Sequence, residues 1–165
     1  MRILLPFALL ASLANAAADT LYGNFAVNEI VFGQNMTFGG NNHEQIKFAG
    51  SEDSYWFIEE VAKDVKPWHT VRKYSDVAKG HLFINFNEHK AGEVATTTTG
   101  SGSIFKFEYT GDARFRFVSI DNPDANLVWT VKNNGTGDFE LYLTLEPDEG
   151  SQYQRFSILN YDINP

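Results

Sequence analysis

The feature that most constrains the fold of this chain is a turn and strand pattern that occurs three times. Gly-Ser pairs begin at Gly50, Gly100 and Gly150, and they lead into the alternating apolar and polar segments YWFIEE, IFKFEY and QRFSIL. Alternation with a period of two is typical of β-strands that bury one face. Self-similarity at intervals of about 50 residues indicates repeated structural units.

Four families of strand-like segments repeat in this way, and each family has three members. Corresponding apolar residues are separated by 46 and 46 positions in the first family (Phe25, Val71, Phe117) and by 52 and 46 in the second (Ile30, Leu82, Val128). The intervals are 48 and 49 in the third family (Ile46, Val94, Leu143) and 49 and 51 in the fourth (Trp56, Phe105, Phe156). Glycine-containing connections separate the segments, and helix signals are scarce. We therefore predict three units of four strands, at 20–66, 67–112 and 113–160.

Three four-stranded units resemble a β-trefoil, in which some strands form a short barrel around a pseudo-threefold axis and hairpins cap it. The segment YSDVAKGHLFI carries the sharpest local resemblance, because a polar turn ending in Gly precedes a strand that starts with Leu. One unit cannot bury both of its faces, whereas three units pool their large residues into one core. A β-sandwich is the main alternative, but it gives no reason for a common interval.

The first residues have the features of a secretory signal peptide. Arg2 supplies a positive charge, residues 3–13 are apolar, and residues 14–16 form a small-x-small cleavage site. We expect residues 1–18 to be removed and residues 19–165 to form a single extracellular domain. The sequence has no cysteine, which excludes disulfides and Cys nucleophiles, so stability must come from packing of its many aromatic residues.

Charge and motif content narrow the classes of partner. Without Arg2 the chain has 12 basic and 21 acidic residues, a net charge of −9, which disfavours nucleic acid and anionic membranes. No second apolar run reaches the length of a membrane span. The four histidines lack zinc-site spacing, and no phosphate loop or nucleophile elbow is present. We therefore predict no metal, no cofactor and no catalytic residues, and we expect a monomer.

The segment Gln154-Arg155-Phe156 resembles the Gln-x-Trp or Gln-x-Phe element of ricin-B-type lectins, which lies in the fourth strand beside a sugar-binding Asn. Tyr153 occupies the position of that Asn in this sequence, and the other two units have Asp53-Ser54 and Gly102-Ser103 there. The resemblance implies a lectin-like trefoil in which sugar contacts come from other loops.

Six residues are candidates for ligand binding. Trp68 follows Lys66-Pro67 at the entrance to a strand, where its ring can stack on a sugar face or cap the core. A cluster of Asp and Asn before LVWTV offers oxygen atoms to sugar hydroxyls or Ca²⁺, although such clusters are also ordinary turns. The candidates are Trp68, His69, Asp76, Asp121, Asn122 and Asp124.

Two Asn-x-Thr sequons, at Asn35 and Asn134, are expected to carry glycans. Both are predicted to lie in the exposed loop between the second and third strands of their units.

These observations predict a secreted, non-enzymatic protein that binds carbohydrate or an extracellular protein through its loops, similar to small effector-like proteins of fungi. An alternative is a protease inhibitor that acts through loop 60–68 or loop 85–93. The resemblance to trefoils implies it, because Kunitz-type and fungal cysteine-protease inhibitors have this fold. A third alternative is a small glycoside-active enzyme, which needs two carboxylates placed across a cleft.

Overall fold

The computed structural model describes residues 22–50, 54–61, 68–133 and 140–160. The expected signal peptide, most of loop 60–68 and the sequon at Asn134 lie outside these residues. None of the described segments forms a helix with the length and hydropathy that a transmembrane helix needs.

Twelve strands, four in each pseudo-repeat, are present in the described residues. The first repeat contains β1 (Gly23–Glu29), β2 (Asn35–Thr37), β3 (Lys47–Ala49) and β4 (Tyr55–Glu60). The second contains β5 (Trp68–Ser75), β6 (Gly80–Asn85), β7 (Thr96–Thr98) and β8 (Phe105–Gly111). The third contains β9 (Arg114–Ser119), β10 (Leu127–Asn133), β11 (Leu141–Pro147) and β12 (Phe156–Asn160). The prediction of an all-β fold with three four-stranded units is confirmed.

Six of the strands close into a barrel. Each strand pairs antiparallel with the next around the ring, in the order β1, β4, β5, β8, β9, β12 and back to β1. The other six strands form the hairpins β2–β3, β6–β7 and β10–β11. Because the ring is closed, its strands leave no unpaired edge of the kind that promotes aggregation.

The three hairpins meet at the pseudo-threefold axis through a closed triangle of backbone hydrogen bonds. The amide of Ile46 donates to the carbonyl of Ala95 (3.0 Å), Ala95 donates to Leu143 (2.8 Å), and Leu143 donates to Ile46 (3.1 Å). All three side chains are fully buried. The prediction of Val94 for this family is wrong by one residue, because Val94 is partly exposed. The buried position at the axis is occupied by the small Ala95, which packs between the bulky Ile46 and Leu143.

Two of the predicted strand families supply the core of the barrel. Phe25, Val71 and Phe117 are buried on β1, β5 and β9, and Trp56, Phe105 and Phe156 are buried on β4, β8 and β12. The indole of Trp129 stacks flat on Phe117, with 4.0 Å between ring centroids. The aromatic triplet of the fourth strands therefore stabilises the core and does not form an exposed ligand platform.

The second strand family contains one error. Leu82 and Val128 lie in β6 and β10 and are buried, but Ile30 lies in the turn between β1 and β2 and is partly exposed. Met36 supplies the buried residue of β2 instead. The carboxylate of Glu29 causes this difference, because it binds the backbone of the following residues and turns the chain directly after β1.

Candidate functional site

A cavity of about 480 Å³ lies at the junction of the first and third repeats. Its walls come from the β10–β11 hairpin, the turn between β1 and β2, and the 3₁₀ turn Gln152–Gln154. We name it the aromatic cavity because two exposed rings line it, Phe32 with 47% and Tyr153 with 40% of the residue surface exposed. Its polar wall includes Lys132, Asn133, Glu146 and Glu149.

The turn that carries Phe32 is fixed by a buried carboxylate. Glu29 is 1% exposed and accepts hydrogen bonds from the backbone amides of Val31 (2.8 Å), Phe32 (2.9 Å) and Gln34 (2.7 Å). Hydrogen bonds to an ionised group are stronger than those between neutral groups. The backbone beneath the Phe32 ring is therefore held in one conformation.

The loop on the opposite wall is fixed by Gln154, which is 2% exposed. Its amide nitrogen donates to the Thr130 hydroxyl (3.2 Å) and the Pro147 carbonyl (2.8 Å). Its amide oxygen accepts from the backbone of Glu149 (2.9 Å) and Ser151 (3.3 Å). A single side chain thus joins residues 149–151 to the β10–β11 hairpin.

The short helical turn that carries Tyr153 is capped by Ser151. The Ser151 hydroxyl accepts from the backbone amide of Tyr153 (3.1 Å), and Gln154 completes a capping box. The Tyr153 ring therefore projects from a fixed backbone, as the Phe32 ring does.

The start of this loop is anchored to the barrel by charge. Arg116 of β9 forms ion pairs with both Asp148 and Glu108. Burial alone would raise the pKa of Glu108, but hydrogen bonds from Lys106 and Arg116 outweigh burial and lower that pKa. Glu108 therefore stays ionised at neutral pH, and Arg116 joins the Asp148 end of the loop to the barrel.

The polar wall of the aromatic cavity presents both hydrogen-bond donors and hydrogen-bond acceptors. Lys132 and Glu146 form an ion pair at 2.5 Å, with 52% and 15% of their side chains exposed. Glu149 adds a second carboxylate and Asn133 adds an amide. In the part of the chain that the structure describes, no three His, Asp or Glu side chains converge as metal ligands.

None of the six predicted ligand-binding residues lines this cavity. Trp68 is the first residue of β5 and is partly exposed. His69 is fully buried and packs edge-on against Phe107, with 4.6 Å between ring centroids. Burial of His69 favours a role in the core, because it lies on the same face of β5 as the core residue Val71.

Asp121 and Asn122 connect the third repeat to the second. The Asn122 amide donates to the carbonyl of His89 (3.0 Å), and Asp121 accepts from the backbone of Ile104 (3.0 Å). Asp121 also lies 3.6 Å from Nδ1 of His89. These contacts favour a structural role for the pair. The two remaining candidates are exposed in turns: Asp76 and Asp124.

The predicted exposed position of Asn35 is wrong. Asn35 is the first residue of β2, pairs with Asn28 and Ala49 on the flanking strands, and is 7% exposed. A glycan has no room on a side chain that is buried in this way.

The residues of the aromatic cavity were not identified from the sequence as a site. Phe32 precedes Tyr153 by more than 100 positions, so no local motif contains both. The sequence contains one relevant motif, because the lectin-like element Gln154-Arg155-Phe156 directly follows Tyr153.

No family model matches the sequence, and comparison with curated proteins finds no match. Solved structures are similar over most of the chain. The designed threefold-symmetric protein ThreeFoil has 9% identity and a TM-score of 0.66, covering 84% of this chain and 99% of its own. The Rhizoctonia solani agglutinin has 12% identity and a TM-score of 0.63, with coverage of 86% and 96%. SeviL bound to asialo-GM1 saccharide has 10% identity and a TM-score of 0.59, with coverage of 86% and 99%. At these identities the similarity concerns the fold, and this chain folds as a β-trefoil.

Proposed function

We propose that the protein is a secreted, non-enzymatic carbohydrate-binding protein and that the aromatic cavity is its binding site. The observation that carries the proposal is the combination of two exposed rings, Phe32 and Tyr153, with a polar wall in one cavity. Aromatic rings bind the apolar faces of sugar rings, while carboxylates, amides and ammonium groups bind sugar hydroxyls. The volume of about 480 Å³ is in the range of small-molecule sites.

The bracing of both rings supports this assignment. Glu29 fixes the backbone of Phe32, and Ser151 and Gln154 fix the backbone of Tyr153. A site that is already ordered loses less conformational entropy when it binds, which matters for a weakly hydrophobic ligand such as a sugar. The similarity of the fold to an agglutinin and to a protein solved with a saccharide is consistent with the proposal.

A glycan array with the purified protein tests the proposal, using Phe32→Ala and Tyr153→Ala. We expect each substitution to weaken binding about tenfold or more, equivalent to about 1.4 kcal/mol. Tyr74→Ala is the matched control, because Tyr74 is 54% exposed and lies outside the cavity. An array on which the wild-type protein binds no glycan would overturn the proposal.

Trp68→Ala separates the aromatic cavity from the surface predicted from the sequence. We expect this variant to bind as the wild type does, because Trp68 does not line the cavity. Loss of binding in Trp68→Ala, with full binding in Tyr153→Ala, would move the site to the start of β5.

A second candidate function, protease inhibition, is favoured by one observation on loop 85–93. The Glu93 carboxylate accepts backbone hydrogen bonds from Asn87 (2.5 Å), Glu88 (3.1 Å) and Lys90 (3.4 Å), which holds this exposed loop in one shape. Inhibitors of the loop-insertion type need such a preformed loop. Assays against serine and cysteine proteases, with Lys90→Ala as the variant, test this candidate.

A further inference from the structure

A second cavity, of about 390 Å³, adjoins the aromatic cavity. The two cavities share three wall residues: Lys132, Asn133 and Glu146. The Lys132–Glu146 ion pair therefore stands at their boundary. We name the second space the axial cavity, and its other walls include Gln45, Val94, Tyr142 and Thr144.

The axial cavity lies over the pseudo-threefold axis. Gln45, Val94 and Tyr142 each immediately precede a member of the backbone triangle at the axis, and each belongs to a different repeat. Because the triangle residues point into the core, alternation turns these three side chains away from it, with Gln45 exposed and Tyr142 9% exposed. The triangle and the bridges of Gln45 to Thr96 and Val94 to Thr144 make the floor rigid.

The three axial positions have diverged into three different chemical groups. Gln45 is exposed and offers an amide, while Val94 offers an aliphatic surface. The Tyr142 hydroxyl is bound to Glu140, and Lys47 lies 5.3 Å from the Tyr142 ring centroid. The hydrogen bonds that Glu140 accepts from the Tyr142 hydroxyl and from Lys47 lower the pKa of Glu140. Tyr142 is therefore held in place, and beyond the three shared residues the axial cavity combines the Gln45 amide with apolar surface.

We propose that the two cavities form one continuous site for a neutral oligosaccharide of at least two sugar units, with one unit in each cavity. This inference rests on the proposed carbohydrate-binding function. Each cavity alone has the volume of a site for one small ligand unit, and the shared wall places the second next to the first. Lys132 and Glu146 then contact the hydroxyls that flank the linkage between the units.

The charge of the site selects for a neutral ligand. Glu146 and Glu149 provide two carboxylates against the single ammonium group of Lys132, and the chain as a whole is acidic. Sugars that carry a carboxylate or sulfate are repelled by this arrangement. The distinguishing ligand class is therefore an uncharged disaccharide or longer chain.

Calorimetric titration of neutral sugars of increasing length tests the inference. The probes are glucose, galactose, mannose and N-acetylglucosamine, each with its disaccharide and trisaccharide homologues, and a sialylated trisaccharide. We expect a disaccharide to bind at least tenfold more tightly than its monosaccharide, and we expect the sialylated probe to bind more weakly than its neutral parent.

Two substitutions in the axial cavity give the decisive comparison. Gln45→Ala removes the amide and Val94→Phe fills the space, and both should reduce disaccharide affinity to that of the monosaccharide while leaving monosaccharide affinity unchanged. Gln152→Ala is the control, because Gln152 is exposed and lines neither cavity. Unchanged thermal unfolding of the variants confirms that they are folded.

The outcomes separate this inference from the proposed function. Equal wild-type affinity for monosaccharides and disaccharides, or a disaccharide preference that survives both axial substitutions, overturns the two-cavity site and leaves the aromatic cavity as a single-sugar site. Failure of every probe to bind the wild type overturns the two-cavity site, and an array on which no glycan binds overturns the proposed function as well.

Discussion

Glu29 offers a direct test of how the aromatic cavity is built, because one buried side chain holds the turn beneath Phe32. Its two oxygens receive three backbone donors, and it is 1% exposed. Replacing it with Ala leaves these donors without their acceptor. Replacing it with Gln keeps one acceptor oxygen but points an amide NH₂ group at N–H donors.

The expected cost follows from the number and type of these bonds. Hydrogen bonds to charged groups contribute about 1.5–3 kcal/mol each, but they are not additive when three donors share one carboxylate. Water replaces part of the loss, since the adjacent Phe32 is exposed. We expect Glu29→Ala to lower the free energy of unfolding by about 3–4 kcal/mol and Glu29→Gln by about 2 kcal/mol. Domains of this size have about 5–15 kcal/mol in total.

Urea unfolding followed by tryptophan fluorescence measures the effect. With a slope of about 1–3 kcal/mol per molar urea, Glu29→Ala shifts the midpoint by at least about 1 M. Glu93→Ala is the control, because Glu93 also accepts from three backbone amides but in an exposed loop, where water takes over. Equal losses in Glu29→Ala and Glu93→Ala would refute the argument that burial makes the Glu29 contacts expensive to remove.

Three further measurements test other contacts. Burial lowers the pKa of Lys73 below its unfolded value of 10.5. Between these two pKa values the unfolded chain binds more protons than the folded chain, so the free energy of unfolding rises with pH. The free energy of unfolding of Lys73→Met should lack this rise. Urea unfolding of the variant and the wild type at a series of pH values up to 10.5 measures the difference. Gln154→Ala is expected to cost about 2–3 kcal/mol, because buried polar groups lose their partners, and to weaken glycan binding through Tyr153; equal stability of the variant and the wild type contradicts this. Asn35 is expected to carry no glycan in folded protein secreted from a eukaryotic host, and peptide mapping that finds a glycan there would contradict its buried position.

The repeat architecture was predictable because its signal is distributed over the whole chain. Large apolar residues such as Trp56, Phe105 and Phe156 recur at a nearly fixed interval, and symmetric packing requires bulk at each of them. The two errors of register have local causes. Ile30 is apolar but follows the turn-forming Glu29, and Ala95 is small, so a search for bulky residues selects the neighbouring Val94.

The candidate site was not predictable in the same way, because its parts meet only in the folded chain. The closed barrel brings the turn after β1 against the last repeat, since β1 pairs with β12. An exposed aromatic residue such as Phe32 has no periodic signature. Asx-rich turns have a strong local signature, but Asn122 uses its side chain to join two repeats.

Divergence among equivalent positions explains why the aromatic cavity lies against the third repeat. Gln154 precedes Phe156 by two residues, and Ser54 and Ser103 have the same offset from their own core aromatic residues. The shorter hydroxyls accept one donor each: the Lys73 ammonium donates to Ser54, and the backbone amide of Phe86 donates to Ser103. Only a side chain as long as Gln154 reaches from the loop before β12 to both strands of the preceding hairpin. Core triplets keep similar bulk because all three must fill one interior, whereas positions outside the core are free to differ. The aromatic cavity lies beside one such position, Gln154.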